Sequence, residues 1–326
     1  MKEEDIRKRD VLNRYLELVR EDAARLFRDR SAFQKIDCPA CGSQDLLHQF
    51  SKIGFNYVQC KECETLFVNP RPAYNDLMKI YVDSPSTRFW VADFFLPMAD
   101  VRREKIFSPR AEFIAERFPD MRSGRTADIG AGFGLFLEEM KLRWPASDIV
   151  AIEPSIDMAK ICREKGLSVL ETTLEDVDPN ERFDLMTAFE LFEHLRDPIP
   201  FVEKVYNLLN PGGYLFLTTL NGLGFDIQIL WERAKSVFPP HHLNFFNPHS
   251  METLLVRNGF EIVEIATPGQ LDWDIIEGAY RHEGLGPGRF FKTVSRYGTD
   301  QAKRDLQQWI RENNFSSHMR VIAKKR

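Results

Sequence analysis

The 326-residue chain lacks several features that would place it in a special class of protein. It contains no apolar run near the roughly 20 residues that span a bilayer. It begins with the charged segment Met1–Lys8 instead of a secretory signal. Positive charge is not in excess, since 44 Lys and Arg oppose 49 Asp and Glu for a net charge of -5. These absences predict a cytoplasmic protein without a membrane span, and they argue against a nucleic-acid partner.

Cysteine is scarce, and four of the five cysteines fall into two pairs. Cys38 and Cys41 form one Cys-x-x-Cys motif, and Cys60 and Cys63 form the other. In a reducing compartment such pairs are more typical of metal ligands than of disulfides, and four thiolates at this spacing can close a tetrahedral zinc site. We predict a structural zinc ion, because four cysteines leave no coordination position open for catalysis. Redox use of either pair is the alternative, and Cys162 is expected in the core.

Composition and periodicity divide the chain into four predicted parts. Residues 1–35 carry an amphipathic helix over 4–34, which either packs internally or forms a homodimer. Residues 36–72 carry the zinc ribbon, and residues 73–123 form a helical connector. From 124 to 326, short strands alternate with helices, which predicts a largely parallel sheet covered on both faces. The predicted strands span 125–129, 148–152, 168–170, 183–188, 213–219, 261–266 and 319–323.

A partly helical insert at 268–316 interrupts this alternation. It is rich in aromatic residues, namely Trp273, Tyr280, Phe290, Phe291, Tyr297 and Trp309. Aromatic residues at helical spacing are usually part of a core. The more specific hypothesis is that the insert is a lid that excludes water from an acceptor pocket.

A glycine-rich turn follows the first predicted strand of the large domain, in the stretch Asp128-Ile-Gly-Ala-Gly-Phe-Gly134. Glycine permits positive φ and close approach of a ligand to the backbone. A dinucleotide fingerprint requires Gly-x-Gly-x-x-Gly, but its last position is Leu135, which argues against a nicotinamide-dependent dehydrogenase. Glu153 ends the next strand, where a carboxylate can accept hydrogen bonds from both hydroxyls of a ribose. A solvated strand end is the alternative for Glu153.

These motifs resemble those of class I S-adenosylmethionine-dependent methyltransferases, and the chain is similar to the branch that includes ubiquinone-type O-methyltransferases and zinc-ribbon sugar methyltransferases. The matching stretches include the glycine-rich turn, Phe183–Pro198 and Leu209–Thr218. The resemblance covers about residues 124–326, and the cysteine segment resembles the ribbon that precedes many such domains. It implies a Rossmann-like α/β fold with a seven-stranded sheet whose last strand is antiparallel. It also implies S-adenosylmethionine bound over the carboxyl ends of the first strands.

The resemblance implies a set of cofactor-binding residues. Leu174 and Glu175 are expected beside the adenine, and Glu190 beside the methionine part of the cofactor, although either acid could instead support a turn. The full expected set is Asp128, Gly130, Ala131, Gly132, Gly134, Glu153, Pro154, Leu174, Glu175, Phe189 and Glu190.

The expected chemistry requires little of the protein beyond positioning and one proton transfer. Methyl transfer from a sulfonium is an in-line displacement, so the enzyme chiefly holds the reacting atoms in register. Histidine is suited to removing the acceptor proton near neutral pH. The resemblance favours His194 as the base and His242 as a substrate contact or alternative base, whereas His241 occupies a more variable position. A local hydrogen-bonding role at a helix start is the alternative for His194.

We therefore expect methyl transfer to an oxygen or carbon of a small-molecule acceptor, such as a sugar, a nucleotide-sugar or a lipid-linked intermediate. The chain lacks the Asn-Pro-Pro-Tyr motif that typifies enzymes acting on exocyclic or amide nitrogens. One alternative is an RNA or protein methyltransferase that uses the ribbon for recognition. Another is a binding protein that kept the fold without the chemistry, against which the glycine-rich turn and Glu153 argue.

Overall fold

The computed structural model describes residues 2–326, apart from the side chains of Val82 and Asp83. The strands are β1 (Leu46–Lys52), β2 (Phe55–Cys60), β3 (Leu66–Val68), β4 (Arg125–Ile129), β5 (Asp148–Ile152), β6 (Ser168–Leu170), β7 (Phe183–Phe189), β8 (Leu209–Leu220), β9 (Asn244–Phe245), β10 (Phe260–Ala266) and β11 (His318–Lys325). The helices are α1 (Glu3–Ile6), α2 (Arg9–Leu26), α3 (Tyr74–Asp83), α4 (Pro85–Phe89), α5 (Ala99–Arg102), α6 (Ser108–Arg117), α7 (Leu135–Arg143), α8 (Ile156–Glu164), α9 (Pro198–Leu208), α10 (Phe225–Leu230), α11 (Pro248–Arg257), α12 (Asp272–Glu283), α13 (Gly288–Tyr297) and α14 (Asp300–Glu312). Within the described residues, no helix is both long and apolar enough to cross a bilayer.

The large sheet has seven strands in the order β10-β11-β8-β7-β4-β5-β6. Pairing is parallel from β8 through β6, and β11 is antiparallel to both of its neighbours. The prediction of a seven-stranded Rossmann-like sheet with an antiparallel last strand is confirmed. The central strands are almost wholly buried, as expected for apolar runs covered by helices on both faces.

The strand order creates a crevice at the carboxyl end of β4. From β4 the chain runs outward through β5 to β6, and it then returns to β7 on the other side of β4. The loops after β4 and β7 therefore diverge, which leaves an opening at the point where ligands bind in open α/β sheets.

The cysteine segment is joined to the large sheet through a second sheet in the order β1-β2-β3-β9. Strand β9 lies between β8 and α11 in the chain and pairs with β3 in antiparallel fashion. Arg71 is fully buried beneath this junction and donates hydrogen bonds to the Val68 carbonyl, 3.0 Å away, to the Arg196 carbonyl and to the Asn244 side chain. The cysteine segment therefore shares a core with the large sheet.

The N-terminal helix is shorter than predicted. A single helix over 4–34 is wrong in extent, because α1 is separated from α2 and α2 ends at Leu26. Beyond that point the Asp29 carboxylate accepts a hydrogen bond from the Ser31 amide (2.8 Å), a local turn that competes with helix formation. The apolar face of α2 packs within the chain, where Tyr15 and Val19 share a core with Phe94.

The insert at 268–316 forms α12, α13 and α14, and only part of its aromatic set is buried. Trp273 and Phe291 are buried and stack with their ring centroids 4.2 Å apart. Phe290, Tyr297 and Trp309 are exposed. Trp273 and Phe291 are therefore core residues, as aromatic residues at helical spacing usually are, whereas Phe290, Tyr297 and Trp309 are not.

Candidate functional site

The glycine-rich turn after β4 has the backbone geometry that its sequence predicts. Gly130, Gly132 and Gly134 all have positive φ, at 71°, 56° and 70°. A Cβ at Gly132 would meet no protein atom within 4 Å, so this residue borders open space that a ligand can occupy. A Cβ at Gly134 would lie 2.6 Å from Leu167 Cδ1, so that glycine is required by packing.

Glu153 lies at the end of β5, beside the glycine-rich turn. Its Oε2 accepts a hydrogen bond from the Gly132 amide (2.8 Å), and its Oε1 accepts one from the Ser155 amide (2.9 Å). Burial raises the pKa of Glu153, and these two backbone bonds oppose that rise. Each carboxylate oxygen keeps further acceptor capacity, so the group can accept hydrogen bonds from a pair of ligand hydroxyls.

Asp128, the last residue but one of β4, is buried and accepts a hydrogen bond from Thr187 Oγ1 (2.7 Å). Burial raises the pKa of Asp128 to about 7, opposed by Thr187 and by the charge of Arg110. Near neutral pH this carboxyl can therefore respond to a ligand cation by releasing its proton.

Glu190 follows β7 and has a positive φ of 50°, which is unusual for a residue with a side chain. Its carboxylate accepts hydrogen bonds from Thr218 Oγ1 (2.7 Å) and His318 Nδ1 (3.1 Å), and it lies 3.6 Å from Arg110 Nη2. Although burial opposes charge, His318 and Arg110 hold the pKa of Glu190 well below its usual value. Glu190 therefore presents a fixed negative charge to the crevice.

Two histidines have the same tautomer, set by backbone carbonyls. His194 Nδ1 donates to the His241 carbonyl (2.9 Å), and His242 Nδ1 donates to the Ser236 carbonyl (2.6 Å). Because a carbonyl can only accept, each neutral ring carries its proton on Nδ1 and keeps Nε2 as an acceptor. Burial lowers the pKa of His194 to about 4 and lowers that of His242 well below its usual value. Both rings are therefore neutral at pH 7.

Glu193 and Tyr81 complete this histidine cluster. The buried Glu193 carboxylate accepts a hydrogen bond from Thr219 Oγ1 (2.8 Å), and burial together with Glu190 raises its pKa to about 8. Tyr81 on α3 donates to the His241 carbonyl (3.2 Å) and lies 3.3 Å from His194 Nδ1. One oxygen of Glu193 and one ring nitrogen each of His194 and His242 lie within 4.8 Å of one another. Such a group can bind a divalent cation as well as accept a proton.

A single cavity of about 1310 Å³ connects the glycine-rich turn to the histidine cluster. Pockets for one small ligand usually measure about 300–1,000 Å³, so this cavity has room for a cofactor and an acceptor together. Its outer wall comes from the N-terminal helices, the connector and the insert. The apolar side chains of this wall include Leu12, Tyr15, Trp90, Phe94, Phe95, Ile275 and Leu285.

The structure brings nearly all of the predicted site residues to this cavity. Glu153, Leu174, Glu175, Glu190 and both predicted histidines line it, as do Asp128, Gly130, Ala131, Gly132, Pro154 and Phe189. Gly134 does not, because it faces the packing between α7 and α8. Sequence reasoning missed Tyr81, Arg102, Arg110 and His318. The first three lie in a connector without a recognisable motif, so only their position in the fold identifies them.

The four paired cysteines form a separate cluster. The Sγ atoms of Cys38 and Cys63 are 3.5 Å apart, and so are those of Cys41 and Cys60. All four sulfurs lie within 4.8 Å of one another. A disulfide would need about 2.05 Å, so these are thiols in the arrangement of a four-ligand metal site.

Comparisons with known proteins point to one family. A profile of the methyltransferase domain family matches residues 100–265, just over half of the chain. The chain is similar to a ubiquinone biosynthesis O-methyltransferase from Bradyrhizobium sp. (strain ORS 278), at 38% identity over 103 residues, which is 30% of this chain and 40% of that protein. It is also similar to one from Xanthomonas euvesicatoria pv. vesicatoria (strain 85-10), at 28% identity over 48% of this chain and 70% of that protein. The alignment thus spans less than half of the first relative's length.

Solved structures are similar at lower identity. A SAM-dependent methyltransferase from Archaeoglobus fulgidus is 16% identical, with a TM-score of 0.48, over 71% of this chain and 100% of its own.

Proposed function

Because the chain belongs to the methyltransferase domain family, we propose that it transfers a methyl group from S-adenosylmethionine to an oxygen or carbon of a small-molecule acceptor. The observation that carries the proposal is the single cavity that joins the glycine-rich turn and Glu153 to His194 and His242. The names of the similar O-methyltransferases favour oxygen as the accepting atom.

The cofactor would bind along the carboxyl ends of β4, β5 and β7. Glu153 would accept from the ribose hydroxyls, and the backbone at Gly130–Gly132 would approach the cofactor without side-chain obstruction. Asp128 and Glu190 would face the ammonium of its methionine part. Leu174, Glu175, Pro154 and Phe189 would border the adenine and the sulfonium. When bound, the cofactor supplies an electrophilic methyl group on a positively charged sulfur.

His194 is proposed as the general base. Its Nε2 would take the proton of the acceptor hydroxyl while the oxygen gains the methyl group and the carbon–sulfur bond breaks. The Nδ1–H of His194 keeps donating to the His241 carbonyl (2.9 Å), which holds the ring in the tautomer whose Nε2 accepts. The His194 imidazole would gain one positive charge when it takes the proton, which would replace the charge that the cofactor loses with its methyl group. His242 would hold the acceptor or serve as the alternative base.

The cysteine cluster is proposed to hold a structural zinc ion. Tetrahedral Zn–S bonds of about 2.3 Å place sulfurs roughly 3.8 Å apart, close to the 3.5 Å separations in this cluster. The ion would stabilise the sheet through which β3 pairs with β9, and thereby the loop that carries His241 and His242.

The first test is isothermal titration of the protein with S-adenosylhomocysteine. We expect micromolar binding that is weakened at least about 10-fold in Glu153→Ala, because charge-assisted hydrogen bonds contribute about 1.5–3 kcal/mol each. Glu153→Gln keeps the side-chain volume and separates loss of charge from loss of packing. The matched control is Glu171→Ala, an exposed acid paired with Arg163 near the end of β6. An absence of heat in the wild-type protein would refute the proposed function.

A further inference from the structure

Arg102, the last residue of α5, carries a guanidinium that forms no ion pair with any of the described residues. Among the described residues it has no side-chain hydrogen bond or ion pair, and its Nε is buried without an acceptor. Its Cζ lies over the ring of Phe95, 5.1 Å from the ring centroid. The side chain lines the cavity described above.

The neighbouring arginines of the cavity wall are paired. Arg7 lies 3.8 Å from a Glu3 carboxylate oxygen, and Arg110 lies 3.6 Å from Glu190. Arg102 differs from these two arginines because it forms no ion pair with the described part of the chain. A buried donor without an acceptor destabilises the folded protein, so the free Nε of Arg102 in a ligand cavity points to an acceptor that arrives with the ligand.

Arg102 stays charged at neutral pH despite this environment. Burial and the positive charges of Arg7 and Arg110 lower its pKa to about 10, partly opposed by Glu190. The guanidinium is therefore a permanent donor under physiological conditions. Its planar, forked geometry matches a carboxylate or a phosphate better than any neutral group.

The position of Arg102 distinguishes it from Arg110. Arg110 lies over the ring of Phe189 (4.2 Å) at the end of β7 and interacts with the charges of both Asp128 and Glu190. It therefore stands where the methionine part of the cofactor would lie. Arg102 instead ends α5, and α5 packs against α1 in the N-terminal part of the wall. It is thus placed toward the outer wall, where the acceptor would enter.

We propose that Arg102 binds an anionic group, a carboxylate or a phosphate, on the methyl acceptor. This inference rests on the proposed function, and it narrows the acceptor classes to those that carry such a group. A methyl-transfer site needs no anion for its chemistry, so the role of Arg102 is to recognise and orient the acceptor.

The test uses the full-length protein saturated with S-adenosylhomocysteine and titrated with two probes, inorganic phosphate and benzoate. We expect at least one probe to bind, and to bind about 10-fold more weakly to Arg102→Gln, as expected for loss of a charge-assisted contact. Arg102→Lys should recover part of the affinity. The control is Lys105→Gln, which removes a positive charge from the same wall where it is already paired with Asp5 (3.1 Å). Equal binding to wild type and Arg102→Gln, or no binding of either probe to the complex, would overturn the proposal.

Two further readouts separate this role from others. Unchanged S-adenosylhomocysteine affinity in Arg102→Gln supports an acceptor subsite. A loss of that affinity without loss of 5′-methylthioadenosine affinity would assign Arg102 to the cofactor carboxylate and overturn the proposal. Thermal stability of Arg102→Gln should equal or exceed that of wild type, whereas a structural arginine would leave it lower. Failure of the proposed function would be evident beforehand, because the wild-type protein would not bind S-adenosylhomocysteine.

Discussion

Replacing Arg71 with methionine is a direct test of how the cysteine segment is attached to the rest of the protein. The substitution keeps the length of the apolar stem but removes the donors to the Val68 carbonyl, the Arg196 carbonyl and the Asn244 side chain. It also removes the cation over the ring of Phe67, 5.6 Å from its centroid.

The expected cost of Arg71→Met follows from those three acceptors. Each buried acceptor left without a donor costs about 1–3 kcal/mol, which amounts to roughly 3–9 kcal/mol before any offset. The offset is the removal of a fully buried cation, whose burial lowers the pKa of Arg71 to about 9. We expect a net loss of about 2–4 kcal/mol in the free energy of unfolding, because the cost of the three unsatisfied acceptors exceeds the relief of the buried charge.

The loss of stability in Arg71→Met should extend to the histidine cluster. The Asn244 side chain also donates to the Phe192 carbonyl (3.0 Å) and the Leu195 carbonyl (2.7 Å), which flank His194. In Arg71→Met, hydrogen exchange at 192–195 should therefore accelerate together with exchange in β3 and β9.

The assay is urea unfolding followed by circular dichroism, with hydrogen exchange read by mass spectrometry. The matched control is Arg28→Met, an exposed arginine just after α2, for which the free energy of unfolding should change by less than about 0.5 kcal/mol. A loss below about 1 kcal/mol in Arg71→Met, or exchange at 192–195 like that of wild type, would refute this account of the junction.

Three other predictions follow from particular contacts. Purified protein should contain one zinc ion per chain, and Cys41→Ser or a strong chelator should remove the metal and lower the unfolding temperature; full stability without metal would contradict the zinc assignment. Gly134→Ala should destabilise the fold, because its Cβ would lie 2.6 Å from Leu167 Cδ1, whereas Gly132→Ala should chiefly weaken S-adenosylhomocysteine binding; titration and thermal unfolding of both variants would show whether the two effects separate. Glu190 raises the pKa of His318 although burial opposes it, so the ion pair stabilises the folded state at pH 6 and this contribution is lost as pH rises through the raised pKa. The stability difference between wild type and His318→Gln should therefore shrink from pH 6 to pH 9, and a difference that grows over this range would reverse the assigned sign.

Much of the large domain was predictable from local pattern. All seven strands lie within a few residues of their predicted positions, because short apolar runs between turn residues and amphipathic helices specify strands of a covered parallel sheet. Strand β8 begins at Leu209, earlier than predicted, because Leu209 pairs with Phe183 ahead of the irregular Asn-Pro-Gly-Gly stretch, and regular pairing with β7 resumes at Tyr214. The positions of the glycine-rich turn and of Glu153 could also be predicted from the sequence, because both directly follow or end a predicted strand.

The sequence by itself determined the elements whose cause is local: the strands, the glycines that adopt positive φ, and the spacing that brings four cysteines together. Only the tertiary structure decided which distant residues meet. The pairing of β3 with β9 joins the ribbon to the histidine loop, and the connector brings Tyr81 against His194 and leaves Arg102 unpaired in the cavity wall. No local pattern encodes these contacts, because they depend on how separate elements pack, and packing is the sum of many weak interactions between residues far apart in the chain.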